Sequence, residues 1–306
     1  MGKATRQAYG EKLAELVAEN PKIVVLDADL AGSTKSGLSK KVAPERFFDF
    51  GVAEANMIGH AAGFAASGFI PFASSFAMFA TGRPWEQIRN SVAYPILNVK
   101  ICGSHAGITV GEDGVSHQAC EDIAIMRAIP GMKIYVPSDE NETRAVLDQV
   151  ISEYGPTYIR TGRASVENVY ETDQIDVTKV HTLRRGDKAA VFACGVCVKS
   201  ALEAADRLKE EGIALTVVDV CAIKPCDEAG IIEILKSHDL IFTAEEHNIV
   251  GGLGGMICEL AAEKCPRRII RIGLRDIFAE SGSAAELMRK YELDGDGLYK
   301  QIKAAL

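Results

Sequence analysis

Short apolar runs alternate with amphipathic stretches of helical period along most of the chain, and this alternation restricts the fold more than any other feature. KIVVLDADL (22–30), residues 97–102 and 132–136, and GPTYIR (155–160) read as strands. Residues 5–19 repeat apolar positions at helical spacing and end at Asn20-Pro21. Pro137-Ser138-Asp139 stops the chain and caps a second helix from about 139 to 153. EANMIGHAAGFAASGF (54–69) is a helix dense in Ala and Gly, which permits very close packing. Strand, helix, strand order of this kind implies a mainly parallel sheet flanked by helices.

The pattern weakens from 164 to 187 and then resumes. KAAVFACG (188–195), IALTVVDV (213–220), LIFTAEEH and RRIIRIGL read as strands, separated by VKSALEAADRLKEEG (198–212), IIEILKSH and GMICELAAEK as helices. The expected fold class is therefore α/β, with domains at 1–170 and 187–306 joined by a linker at 171–186.

The net charge of −8 argues against a nucleic-acid partner. It leaves room for a small anionic substrate, because a local cluster of Arg and His can oppose the global sign. No apolar run reaches the ~18 residues of a membrane span. The opening MGKATRQAYGEK is too polar for a signal peptide, so the eight cysteines are read as reduced thiols of a cytoplasmic protein.

Three motifs have plain structural readings. Cys194-Gly195-Val196-Cys197 has redox spacing but no second pair, and reads as small residues at a strand-to-helix turn. Gly251-Gly252-Leu253-Gly254-Gly255 departs from GxGxxG, so close helix–strand packing is favoured over a phosphate cradle. Glu245-Glu246-His247 just before it reads as a solvated loop. GEDGVSHQ (111–118) is different. It is polar and turn-forming between apolar segments, and its two glycines let the backbone bend so that Asp113 and His117 can converge. A polar loop at the carboxyl end of a parallel strand is where α/β proteins bind ligands.

GEDGVSHQ resembles the GEDGPTHQ segment of transketolases. ATRQAYGEKLAEL, ADLAGS (28–33) and FGVAEANMIGHAAGFAASG (50–68) resemble the same family's pyrimidine-binding domain, and 188–306 is similar to its C-terminal domain. The resemblance implies a thiamine diphosphate enzyme that moves a two-carbon ketol unit between sugar phosphates. The family's GDG…N segment, which binds the diphosphate and a divalent metal, has no counterpart here. Gly295-Asp296-Gly297 lies in the C-terminal tail with no preceding strand. The chain thus resembles the C-terminal half of a split transketolase. Its N-terminal partner subunit would hold Mg or Ca, and a homodimer of this chain would sit within a heterotetramer.

Carried over position by position, the resemblance places Glu54 against the cofactor's pyrimidine N1′, Phe76 and Phe79 around its ring, and Asp29 nearby. Glu54 also opens a small, apolar helix, where it would be poorly solvated. The third pocket aromatic falls at Gly82, leaving a looser pocket or a role for Trp85. Arg6, Ser33, His105 and Arg163 (or Arg160, three residues earlier) match the sugar-phosphate ligands. Asp113 matches a sugar-hydroxyl ligand and His117 a group beside the reacting carbon; catalysis would rest on Glu54, His105 and His117. Val115-Ser116 replaces Pro-Thr. Ala106-Gly107 after His105 is more like 1-deoxyxylulose-5-phosphate synthase, which has Arg in place of His105. That synthase is the alternative enzyme, followed by the β subunit of the pyruvate dehydrogenase first component. A non-catalytic paralogue is the alternative outside enzymes.

Overall fold

The computed structural model describes residues 2–306. Two sheets carry the chain. Strands β1 (Ile23–Asp27), β2 (Phe47–Asp49), β3 (Ile70–Phe76), β4 (Lys100–Ser104), β5 (Lys133–Tyr135) and β6 (Thr157–Arg160) pair in parallel in the order β5-β6-β4-β3-β1-β2. β1 and β4 are buried at every residue, as expected of parallel strands covered on both faces. The second sheet has β7 (His181–Arg184), β8 (Ala189–Ala193) and β9 (Leu215–Asp219). Next in the chain, β10 (Ala222–Lys224) crosses over and pairs antiparallel with β5 of the first sheet. β11 (Leu240–Asn248) and β12 (Arg268–Leu274) complete the second sheet in the order β12-β11-β8-β9-β7, with β7 antiparallel at the edge. β7 lies within the 171–186 stretch.

The fold is two α/β domains with mostly parallel sheets flanked by helices. The short strands β2, β7 and β10 escaped the sequence, as did two larger features. β3, central in its sheet, reads IPFASSF; Pro71 and two serines blur its apolar signature. Ser74 is nonetheless fully buried and bonded to the Tyr9 hydroxyl at 2.8 Å. The two domains also share one hydrophobic core, in which Leu26, Ile101 and Ile134 join Phe192, Val218 and Ile257.

The main helices are α1 (Thr5–Glu19), α2 (Glu54–Ala66), α3 (Ala77–Gly82), α4 (Asp122–Arg127) and α5 (Glu140–Ser152), then α6 (Cys197–Glu210), α7 (Glu228–Ser237), α8 (Leu253–Lys264), α9 (Ala284–Lys290) and α10 (Gly295–Ala305). Asp139 caps α5 by accepting the Glu142 N–H at 2.8 Å, a contact worth about 1 kcal/mol. The Gly295-Asp296-Gly297 segment opens α10, capped by Asp294. α2 buries Met57, Ile58 and Ala61 while Gly59 and Gly63 face open space.

This topology gathers the site. β6, β4, β3 and β1 are adjacent, and their carboxyl ends lead to Arg163, His105, Phe76 and the Asp29–Ser33 segment.

Candidate active site

β3 ends at Phe76 and α3 places Phe79 one turn later, so the two rings lie 6.3 Å apart with planes only 13° off parallel. β4 ends at Ser104, and His105 follows in the left-handed region (φ 57°). That turn lays its imidazole on Phe76 at 3.9 Å, with Nδ1 2.8 Å from the Ser104 hydroxyl. His117 stands edge-on to Phe79 at 5.1 Å. Burial, reinforced by the charges of Arg6, Arg163, Lys35 and His117, pushes the His105 pKa down to about 3. His105 is therefore a neutral imidazole at physiological pH.

Glu54 opens α2 and is buried, as its apolar helix predicted. Arg83 Nη1 donates to both of its carboxylate oxygens at 2.9 Å. The same guanidinium lies over the Phe79 ring at 4.2 Å. No motif pointed to Arg83, which occupies the neighbourhood of the absent third aromatic. Trp85 does not contribute its indole N–H there; that group donates to the Ile125 carbonyl at 3.1 Å.

A cationic edge borders the rings. Arg6 Nη1 donates to the Ser33 carbonyl at 2.7 Å and Nε to the Arg163 carbonyl at 3.2 Å. A cavity of about 300 Å³ opens here, lined by Arg6, Gln7, Lys35, Arg163 and Ser165 among others. Arg163 pairs with exposed Glu112 at 2.7 Å, whereas neither Arg6 nor Lys35 has a carboxylate partner among the described residues. Lys35 escaped the sequence reading because nothing local distinguishes it from a surface lysine. Arg6, Lys35 and Arg163 converge here beside Lys3, which Glu11 and Glu140 already engage, and such a cluster suits an anionic ligand. Of the two arginines left open by the sequence, Arg163 lines this cavity. Arg160 is buried and committed to Asp122 at 2.8 Å and to the carbonyls of Ala119 and Glu246 at 3.1 Å each.

The C-terminal domain shapes the 111–118 loop. Gly114 (φ 73°) abuts the Ser281 hydroxyl so closely that a side chain would collide with it. Gln118 Nε2 donates to the Glu280 carbonyl at 2.9 Å. Asp113 is exposed on the loop, and Asp29 is exposed with its N–H on Asp49 Oδ1 at 3.0 Å. Among the described residues, no hydrogen bond or ring contact ties either side chain to the cluster around Phe79.

Glu245, Glu246 and His247 are not a solvated loop. All three are buried on β11. Glu246 accepts the Thr109 N–H and hydroxyl at 3.1 and 3.2 Å. Glu245 accepts the N–H groups of Leu253 and Gly254 at 2.7 and 2.8 Å. The glycine-rich turn is thus a helix start filled by the chain's own carboxylate. Cys194 and Cys197 are buried thiols whose pKa values burial pushes well up, in keeping with the turn reading.

Residues 1–168 match the transketolase pyrimidine-binding domain and residues 178–298 the transketolase C-terminal domain. The chain belongs to the transketolase family. A Methanocaldococcus jannaschii protein named for the C-terminal section of a transketolase is 50% identical over 98% of this chain and 95% of its own length. A 6-deoxy-6-sulfo-D-fructose transketolase subunit of Clostridium sp. is 41% identical over 94% of this chain and 90% of its own. Among solved structures, a split-gene transketolase in an inactive β4 tetramer superposes with a TM-score of 0.90. It is 44% identical and covers 100% of this chain and 99% of its own. Within the transketolase family, this chain corresponds to the C-terminal part of a split enzyme.

Proposed function

We propose that this chain is the catalytic C-terminal subunit of a thiamine diphosphate-dependent transketolase, active with an N-terminal partner that holds the diphosphate and its metal. The observation that carries this reading is the convergence of buried Glu54, the near-parallel Phe76 and Phe79 rings, neutral His105 and an edge of three cations at adjacent strand ends. These residues fit the aminopyrimidine. The face of Phe79 already holds one flat group, the Arg83 guanidinium, which is bonded to Glu54.

When bound, thiamine diphosphate supplies a thiazolium carbon that becomes nucleophilic on deprotonation. Glu54 would hold a proton at pyrimidine N1′ and so favour the imino tautomer, the form in which the 4′ nitrogen is basic enough to serve the thiazolium carbon. Phe76 and Phe79 would fix the ring plane by apolar contact. His105, neutral and stacked on Phe76, would exchange a hydrogen bond with a substrate hydroxyl, and His117 would donate to charge developing on the substrate oxygen. Arg6, Ser33, Lys35 and Arg163 would clamp the phosphate, with Glu112 releasing Arg163. Asp113 would bind a sugar hydroxyl, and Asp29 would lie near the cofactor.

The reading favours hydroxylated sugar phosphates over pyruvate, because Asp113 would repel a donor carboxylate held close to it. Reconstituted with an N-terminal subunit, the chain should turn over xylulose 5-phosphate and ribose 5-phosphate without releasing carbon dioxide. Faster decarboxylation of pyruvate would instead mark a 1-deoxyxylulose-5-phosphate synthase, and no turnover of either a non-catalytic paralogue. Active material should have two copies of each chain by light scattering.

A further inference from the structure

Arg83 makes two contacts at once: its guanidinium carbon lies 4.2 Å from the Phe79 ring centroid, and Nη1 reaches both oxygens of Glu54 at 2.9 Å. The Glu54 side chain is only 2% exposed, whereas that of Arg83 is 48% exposed. The arginine therefore reaches in from the surface to neutralise a buried carboxylate. Gly82 leaves it room, since the nearest atom to a side chain built there is the tip of Met78 at 3.9 Å.

A planar cation lying on Phe79 and donating to Glu54 makes the two contacts that the proposed function assigns to the aminopyrimidine ring. One ring face and one carboxylate cannot serve two planar groups together. We propose that Arg83 is a stand-in for the aminopyrimidine, occupying its place in the cofactor-free protein and leaving when the ring enters. The inference rests on the thiamine diphosphate reading above. Its physical basis is that a buried carboxylate left without a partner is strongly disfavoured, so a cation beside Glu54 stabilises the free site. A half-exposed arginine supplies one and returns to water readily. Cofactor affinity is then lowered by the fraction of molecules in which Arg83 is in place.

The test uses the complete complex with its N-terminal partner, titrated with thiamine diphosphate by calorimetry. With Arg83 in place nine times in ten, Arg83→Ala should tighten the cofactor Kd about tenfold. Without cofactor, the variant should melt below wild type because Glu54 is left unpaired, and saturating cofactor should close that gap. A merely structural arginine would lower both melting temperatures alike. Arg83→Gln, which loses the charge, carries the same test should the alanine variant not fold. Equal or weaker cofactor binding by the variants overturns this inference alone. Binding by neither wild type nor variants overturns the proposed function, and this inference with it.

Discussion

Arg160 Nε donates to Asp122 Oδ2 at 2.8 Å, and both side chains are buried at the junction of the two domains. Tyr158 donates to the same oxygen at 2.6 Å, and Glu246 of the other domain stands 3.6 Å from Arg160 Nη1. Burial works against ionising Asp122, but Arg160 and His247 outweigh it and hold the carboxyl below its ordinary value. Arg160→Leu would take the arginine countercharge away from two buried acids. It should cost about 3–5 kcal/mol of stability, read from denaturant unfolding. A loss below 1 kcal/mol would mean that water reaches the junction.

Glu54→Gln keeps the shape and a hydrogen bond but cannot pass a proton. In the reconstituted enzyme kcat should fall by about two decades or more while thiamine diphosphate still binds. Retention of more than about a tenth of the activity would remove Glu54 from proton transfer.

Lys35 lines the cationic cavity and lacks a carboxylate partner among the described residues. Lys35→Ala should lower kcat/KM for phosphorylated substrates about tenfold or more, the effect of losing a charge-assisted bond of about 1.5–3 kcal/mol. Unphosphorylated analogues should be affected far less. An equal loss for both would show that Lys35 supports the loop rather than the phosphate.

The depressed pKa of His105 has a defined pH signature. From the ordinary 6.5 down to about 3, the unfolded chain binds a proton that the folded protein excludes. Its contribution to stability is therefore intact above pH 6.5 and lost progressively as pH falls toward 3, by at most about 1.4 kcal/mol per pH unit. His105→Asn should flatten the acid limb of the stability–pH curve in that window. An unchanged limb would place the acid sensitivity elsewhere, though not at Asp27: burial raises its pKa to about 6, so the folded state takes up its proton first and Asp27 favours folding as pH falls.

Glu245→Ala would free the first N–H groups of α8. It should lower stability by about 1–3 kcal/mol and open an anion site at the glycine-rich turn, detectable by inorganic phosphate raising the melting temperature of the variant and not of the wild type. No phosphate effect would show that the turn collapses without its carboxylate.

The sequence by itself determined the alternation of strands and helices, the Asp139 cap and the burial of Glu54. Each follows from local periodicity, a backbone N–H needing a partner, or the apolar neighbours of one helix. Chain order likewise brought the GEDGVSHQ loop to a strand end. Only the tertiary structure decided that Arg163 and not Arg160 faces the cavity, although they are three residues apart with the same chemistry. The difference lies in Asp122 and Glu246, 38 and 86 positions from Arg160, which bury it. For the same reason Glu246 looks like part of a polar loop in sequence: its partner Thr109 lies 137 positions away. Lys35 and Arg83 were silent because a cation's role depends on what converges on it. Burial and charge pairing are sums over neighbours that the fold supplies, and no local window of the chain contains them.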